Sequence, residues 1–108
     1  MSELAYKLQA DYVKALAHPI RIQIVDFLKT REQNVGSIVK ALGIQQSSLS
    51  RHLTILKESG ILRARQQGLM IYYGIEDPDI FKVLQPIRML LSKKLKRTEA
   101  ALSSLGKT

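Results

Sequence analysis

Residues 45–51 read Gln-Gln-Ser-Ser-Leu-Ser-Arg, a run of amides, hydroxyls and one guanidinium with a leucine set among them. These side chains offer hydrogen bonds rather than reactivity: Gln and Ser pair with base edges or phosphates, and Arg serves either. Placed on a helix at about 100° per residue, Leu49, Leu53 and Leu56 gather on one side, and Ser47, Ser50, Arg51 and Thr54 on the other. Gln46 and Ser48 fall in the exposed first turn. Every soluble helix has a polar face, so polarity alone would indicate only solvent. Small hydroxyl residues, however, are poorer helix formers than Glu, Lys or Ala, and a merely structural surface rarely selects three serines here. Nucleophilic chemistry has no support, because no Asp and His stand at triad spacing to these serines. A catalytic site is therefore not expected.

Two histidines complete the reactive inventory. His18 sits where one helical pattern stops and is expected to close that helix end. His52 flanks Arg51 and is expected to pack or to touch a phosphate. Arg63, Arg65 and Gln67 border a glycine turn, where basic side chains suit the minor groove or nearby phosphates; the plainer reading is an edge strand protected by charge. The 108 residues carry a formal net charge of +8, which favours a polyanionic partner, nucleic acid or an anionic membrane surface. Most of that excess lies in residues 82–108, with seven basic residues against Glu99 alone, a net +6. This stretch could extend a DNA footprint, bind an acidic partner or be a solvated face, and charge runs are commonly solvated.

Several classes are excluded. No run approaches the roughly 18 apolar residues of a membrane span, and Glu3 and Asp11 interrupt the amino-terminal stretch where a signal peptide would be apolar. No membrane partner is expected, and the cytoplasm is the expected location. There is no cysteine, hence no disulfide, thiolate metal site or thiol switch. Length favours one domain over residues 1–108, and disorder is expected only over the polar end, Ser103 to Thr108.

The elements that hold these residues follow from periodicity. Leu4, Leu8, Tyr12, Ala15 and Leu16 recur at helical spacing over 2–17, and Pro19 starts a second helix reaching Lys29. Val35, Ile38, Val39 and Leu42 form a short third helix closed by Gly43, and a fourth spans Gln46 to Glu58 before Gly60. Ile61 to Gln66 and Leu69 to Ile75 are strand-like around Gln67-Gly68, giving a two-stranded β-ribbon over 61–75. After Asp77-Pro78-Asp79, Ile80, Leu84, Ile87, Leu91 and Leu95 mark a last helix over 78–102, which Pro86 is expected to kink or to deprive of one hydrogen bond. The third and fourth helices, joined by Gly43-Ile44-Gln45, have the layout of a helix-turn-helix over 35–58, whose second helix enters the major groove.

The sequence resembles the ArsR/SmtB type of winged helix repressors. The match covers Lys14 to about Ile75: Ala15-Leu16-Ala17-His18-Pro19-Ile20-Arg21-Ile22-Gln23-Ile24, then Ala41-Leu42-Gly43-Ile44-Gln45-Gln46-Ser47-Ser48-Leu49-Ser50-Arg51-His52-Leu53, then Leu56-Lys57-Glu58-Ser59-Gly60-Ile61-Leu62 and Ile71-Tyr72-Tyr73. The resemblance implies a winged helix-turn-helix of order α-α-α-α-β-β-α, mainly α with the ribbon as wing. It also implies a homodimer built from the first and last helices, a reading fourth helix, and repression released by a ligand. Three features depart from the family pattern. Gln45 replaces the usual Ser cap of the reading helix; the family's Cys-x-Cys falls on Asn34 and Gly36; and its last-helix metal site falls on Asp79, Phe81, Ser92 and Leu95. Zinc needs about three or four N, S or O ligands, so no metal and no cofactor is expected.

The expected function is sequence-specific binding of double-stranded operator DNA by a dimeric regulator that does not sense metal, with a small-molecule or protein effector left open. The DNA-binding residues are Gln46, Ser47, Ser48, Ser50, Arg51, His52, Thr54, Arg63, Arg65 and Gln67. The dimer surface is Leu4, Leu8, Leu84, Ile87, Leu91 and Leu95, more apolar area than one small domain covers. The alternative is a basic module binding an acidic protein, membrane or nucleic acid without reading sequence.

Overall fold

Capping side chains mark out the helices of the computed structural model, which describes residues 1–106. Ser2 Oγ accepts the Ala5 N–H at 3.1 Å and opens α1, Glu3–Leu16. His18 Nδ1 accepts the Ile20 N–H at 3.1 Å, and Pro19, which has no N–H to satisfy, begins α2, Pro19–Phe27. Asn34 Oδ1 accepts the Ser37 N–H at 2.8 Å and opens α3, Val35–Leu42. Gly43, at φ 66°, takes the left-handed conformation that ends α3 at no Cβ cost. The next helix, α4, Gln46–Glu58, starts at Gln45 without a side-chain cap, so its first N–H groups stay open. A 25-residue helix, α5, Phe81–Leu105, follows a 3₁₀ turn at Pro78–Ile80.

The sheet departs from the two-stranded expectation. β2, Leu62–Gln67, and β3, Met70–Ile75, pair antiparallel with Gln67 opposite Met70, and a further strand, β1, Gln33–Asn34, pairs with β3 at Tyr73 and Tyr72. The order is β1-β3-β2. Two residues are too few for an alternating pattern to register, and Asn34 doubles as the cap of α3, which is the role its residue type announces. The hairpin loop is Gly68-Leu69 rather than Gln67-Gly68: Gly68 has φ 61°, and a type II′ turn requires glycine at the first loop position.

The chain divides into two compact units, Met1–Asp77 and one beginning at Pro78. In the first, Leu16, Ile24, Val25, Leu28, Ile38, Leu49, Leu53, Leu56, Ile61 and Leu62 are buried, and no polar or charged side chain is buried among the described residues. The core is aliphatic and fixes α2, α3, α4 and the base of the sheet against one another. In the second unit Ile80 and Leu84 are buried, and α5 runs unbroken through Pro86. Its helical course also corrects the expected disorder from Ser103, because alanines and leucines carry the pattern on to Leu105. Lys107 and Thr108, the rest of that stretch, lie outside the described residues.

Candidate nucleic-acid interface

On α4 the packing sorts the side chains by face. Leu49, Leu53 and Leu56 are 0–1% exposed, whereas Gln46, Ser47, Ser50, Arg51 and Thr54 are exposed and Ser48 is half-buried. The three leucines anchor the helix, so the opposite face is presented rigidly. Thr54 Oγ1 donates to the Ser50 carbonyl at 2.9 Å, which leaves its lone pairs to accept from a partner.

His52, expected to pack or to touch a phosphate, is half-buried and packed toward α2: its Nδ1 accepts the Arg21 Nε–H at 3.1 Å, and its ring lies 4.4 Å from that of His18. Burial, and then the charges of His18, Arg21 and Arg51, push its pKa below the ordinary 6.5. Arg21 also donates to the Ala15 carbonyl at 3.2 Å and so links α1, α2 and α4. Nothing in the one-dimensional pattern marks Arg21 or the meeting of two distant histidines; both arise from the crossing of α2 and α4.

The wing arginines stand on one face of β2 with Gln67, along the strand instead of at the tip. Glu32 lies against both. Its Oε1 accepts from Arg65 Nε at 3.1 Å and lies 3.1 Å from Nη2 of the same guanidinium, and its Oε2 is 3.7 Å from Arg63 Nε. Arg63 also donates to the Ile75 carbonyl at 2.6 Å, while Arg65 bonds the Gln67 side chain at 2.7 Å and sits 4.8 Å over the Tyr72 ring, its cross-strand partner. Gly74 makes room for this arrangement, since a Cβ there would come within 2.9 Å of Glu32 Cγ. At the tip Leu69 is fully exposed, with Met70 and Ile71 beside it.

Leu4 and Leu8 of α1 and Ile87, Leu91 and Leu95 of α5 are exposed, each by about half or more. Leu84 corrects the expected dimer surface: at 3% exposure it is already buried within its own chain. At the positions that the resemblance marks for metal ligands, the residues present are poorly suited to a metal. Asn34 spends its side-chain oxygen on the α3 cap, Gly36 has none, and Asp79 pairs with Lys82 at 3.1 Å beside Phe81. No helix among the described residues is long and apolar enough to cross a membrane.

Helix-turn-helix, three-stranded wing and exposed polar α4 define the winged helix class of DNA-binding domains. The family described as "Bacterial regulatory protein, arsR family" matches residues 18–64. The HTH-type transcriptional regulator Rv0081 of Mycobacterium tuberculosis is 38% identical over 105 residues, covering 96% of this chain and 92% of that protein. Its crystal structure superposes with a TM-score of 0.79 over 89% of this chain and 97% of that one. The transcriptional repressor PagR of Bacillus anthracis is 40% identical over 83 residues, 73% of this chain and 83% of that protein. The solution structure of a homodimeric winged helix-turn-helix domain, Mb0332 of Mycobacterium bovis, is 29% identical with a TM-score of 0.77, covering 90% of this chain and 93% of the other. The chain belongs to the ArsR family, and it is a DNA-binding transcriptional regulator.

Proposed function

We propose that the protein represses transcription as a homodimer bound to an inverted-repeat operator in the cytoplasm, and that it responds to neither metals nor thiol oxidants. The observation that carries this reading is α4, whose leucines are buried while Gln46, Ser47, Ser50, Arg51 and Thr54 stand outward as a set. In this arrangement α4 of each protomer enters the major groove, its amides and hydroxyls address base edges, and the β2–β3 wing lies against phosphates or the minor groove. The homodimeric M. bovis domain and the repressor function named for PagR support the assembly and the direction of control. Exposed leucines on α1 and α5 supply apolar area for the dimer. Two reading helices then address half-sites about one helical turn, ~34 Å, apart.

The protein is a binding protein and not an enzyme, and any effector is a small organic molecule or a protein partner. The test is to let the purified protein select fragments of its own genome and to sequence them. An inverted repeat bound orders of magnitude more tightly than random DNA is expected. Recovery of all sequences alike, with the same salt dependence for any polyanion, would favour a basic module that does not read sequence.

A further inference from the structure

Between the start of α2 and one flank of α4 lies a depression of about 460 Å³, lined by His18, Arg21, Ser48, Arg51 and His52 and by two isoleucines. Every polar side chain in this lining can donate a hydrogen bond, and none is a carboxylate. Nδ1 of His18 accepts the Ile20 N–H and Nδ1 of His52 accepts from Arg21, which places the proton of each neutral ring on Nε2. Two permanent positive charges and two imidazole N–H donors therefore share one concavity, an environment that suits an anion.

Its place on the helix says which anion. Ser48 and His52 lie on the flank of α4, with Arg51 between flank and outward face. A helix about 10–12 Å across fills a major groove about 12 Å wide, so the flanks of a reading helix stand against the phosphate walls. We propose that this depression holds one phosphate of the DNA backbone in each half-site, through Ser48, Arg51 and the two histidines; on binding His52 takes up a proton at Nδ1, which gives up its hydrogen bond from Arg21 and frees that N–H to turn to the phosphate. It rests on the reading of α4 as the groove helix, and it adds His18 and Arg21 of α2 to the DNA site.

The charges facing His52 are His18 and Arg21 from the start of α2 and Arg51 on its own helix; beyond Arg21, an adjoining depression brings Asp11 and Lys14 of α1 and Glu58 of α4. In the free protein these positive neighbours and burial disfavour the imidazolium. A bound phosphate reverses the local field and favours it. The complex then binds more protons than its separated parts, and affinity rises as pH falls through the histidine range.

The test is operator affinity by fluorescence anisotropy at pH 8 and pH 6 over a salt series, for the wild type and for the double variant His18→Asn/His52→Gln. Asn keeps an acceptor for the first turn of α2 and Gln keeps one for Arg21, so circular dichroism should be unchanged. Wild-type affinity is expected to rise about three- to tenfold on going to pH 6. The double variant should lose that rise on operator and random DNA alike, and its salt slope at pH 6 should fall by about one per half-site. If the variant fails to fold, the wild type is titrated against operators carrying one neutral methylphosphonate each, and a single position per half-site should flatten the pH profile. Operator binding with a pH response and salt slope identical in wild type and variant, or untouched by every methylphosphonate, overturns the phosphate site and leaves the groove helix standing. A wild type that shows no operator preference overturns both.

Discussion

Replacing Glu32 by Gln should weaken the fold and strengthen DNA binding at the same time. The carboxylate holds Arg65 through two contacts at 3.1 Å and Arg63 at 3.7 Å, with both arginine side chains about half exposed. Exposed pairs of this kind contribute about 0.2–1 kcal/mol each, and the arginines keep their bonds to the Ile75 carbonyl and to Gln67. The loss should come to about 0.5–1 kcal/mol, which for a chain of this size lowers Tm by roughly 2–8 °C. On DNA the sign reverses. A phosphate meeting those guanidiniums would stand about 7 Å from the carboxylate, and at that distance two like charges in water repel by about 0.6 kcal/mol before screening. Removing that charge should therefore raise affinity about two- to threefold per half-site, equally on operator and random duplexes because phosphates carry no sequence. Thermal unfolding by circular dichroism and anisotropy titrations on both duplexes measure the two effects. Unchanged or weakened binding by Glu32→Gln would refute the reasoning, and would mean that the carboxylate organises the wing arginines for DNA instead of competing with it.

In sedimentation at micromolar concentration the protein should run as a dimer, and Leu8→Glu with Leu91→Glu should give a folded monomer with weakened operator binding; a wild-type monomer that binds fully would contradict this. Titrating zinc, copper, arsenite or peroxide into an operator complex at fixed ionic strength should change its affinity less than tenfold, and a larger change reversed by chelator or reductant would overturn the metal- and thiol-independent reading. Without DNA the pH effect on stability has the opposite sign to that on binding. The depressed pKa of His52 means the unfolded chain binds more protons, so its contribution is complete above about pH 6.5 and is lost as pH falls through that value. Tm should then drop on acidification less steeply in His52→Gln than in the wild type; identical slopes would remove His52 from the balance.

The parts of this fold visible in the sequence are those with a long period and a strong stop. The pattern of Leu49, Leu53 and Leu56 between Gln45 and Gly60 gives α4 over Gln46–Glu58 as observed, and Val35 to Leu42 followed by Gly43 gives α3 likewise. Periodicity could not show β1, which is two residues long and joins the sheet only because β3 passes beside it. The apolar stripe of the last helix reads the same from Leu84 to Leu95, yet Leu84 is buried and the others are not, a difference set by tertiary placement. The candidate site divides in the same way. The outward residues of α4 follow from helical geometry, whereas the Glu32 contacts with Arg63 and Arg65 and the encounter of His18, Arg21 and His52 depend on chain crossings between residues distant in sequence.

The most direct test of α4 as the reading helix is the ratio of operator to random-duplex affinity for the wild type and for Gln46→Ala/Ser50→Ala, two exposed substitutions on the flank away from the histidines. A Gln that pairs with adenine discriminates by about 1–3 kcal/mol, so operator affinity should fall about 5- to 150-fold while random-duplex affinity and Tm stay at wild-type values. Operator and random affinities that both remain unchanged, or that fall by the same factor, would contradict base reading by α4.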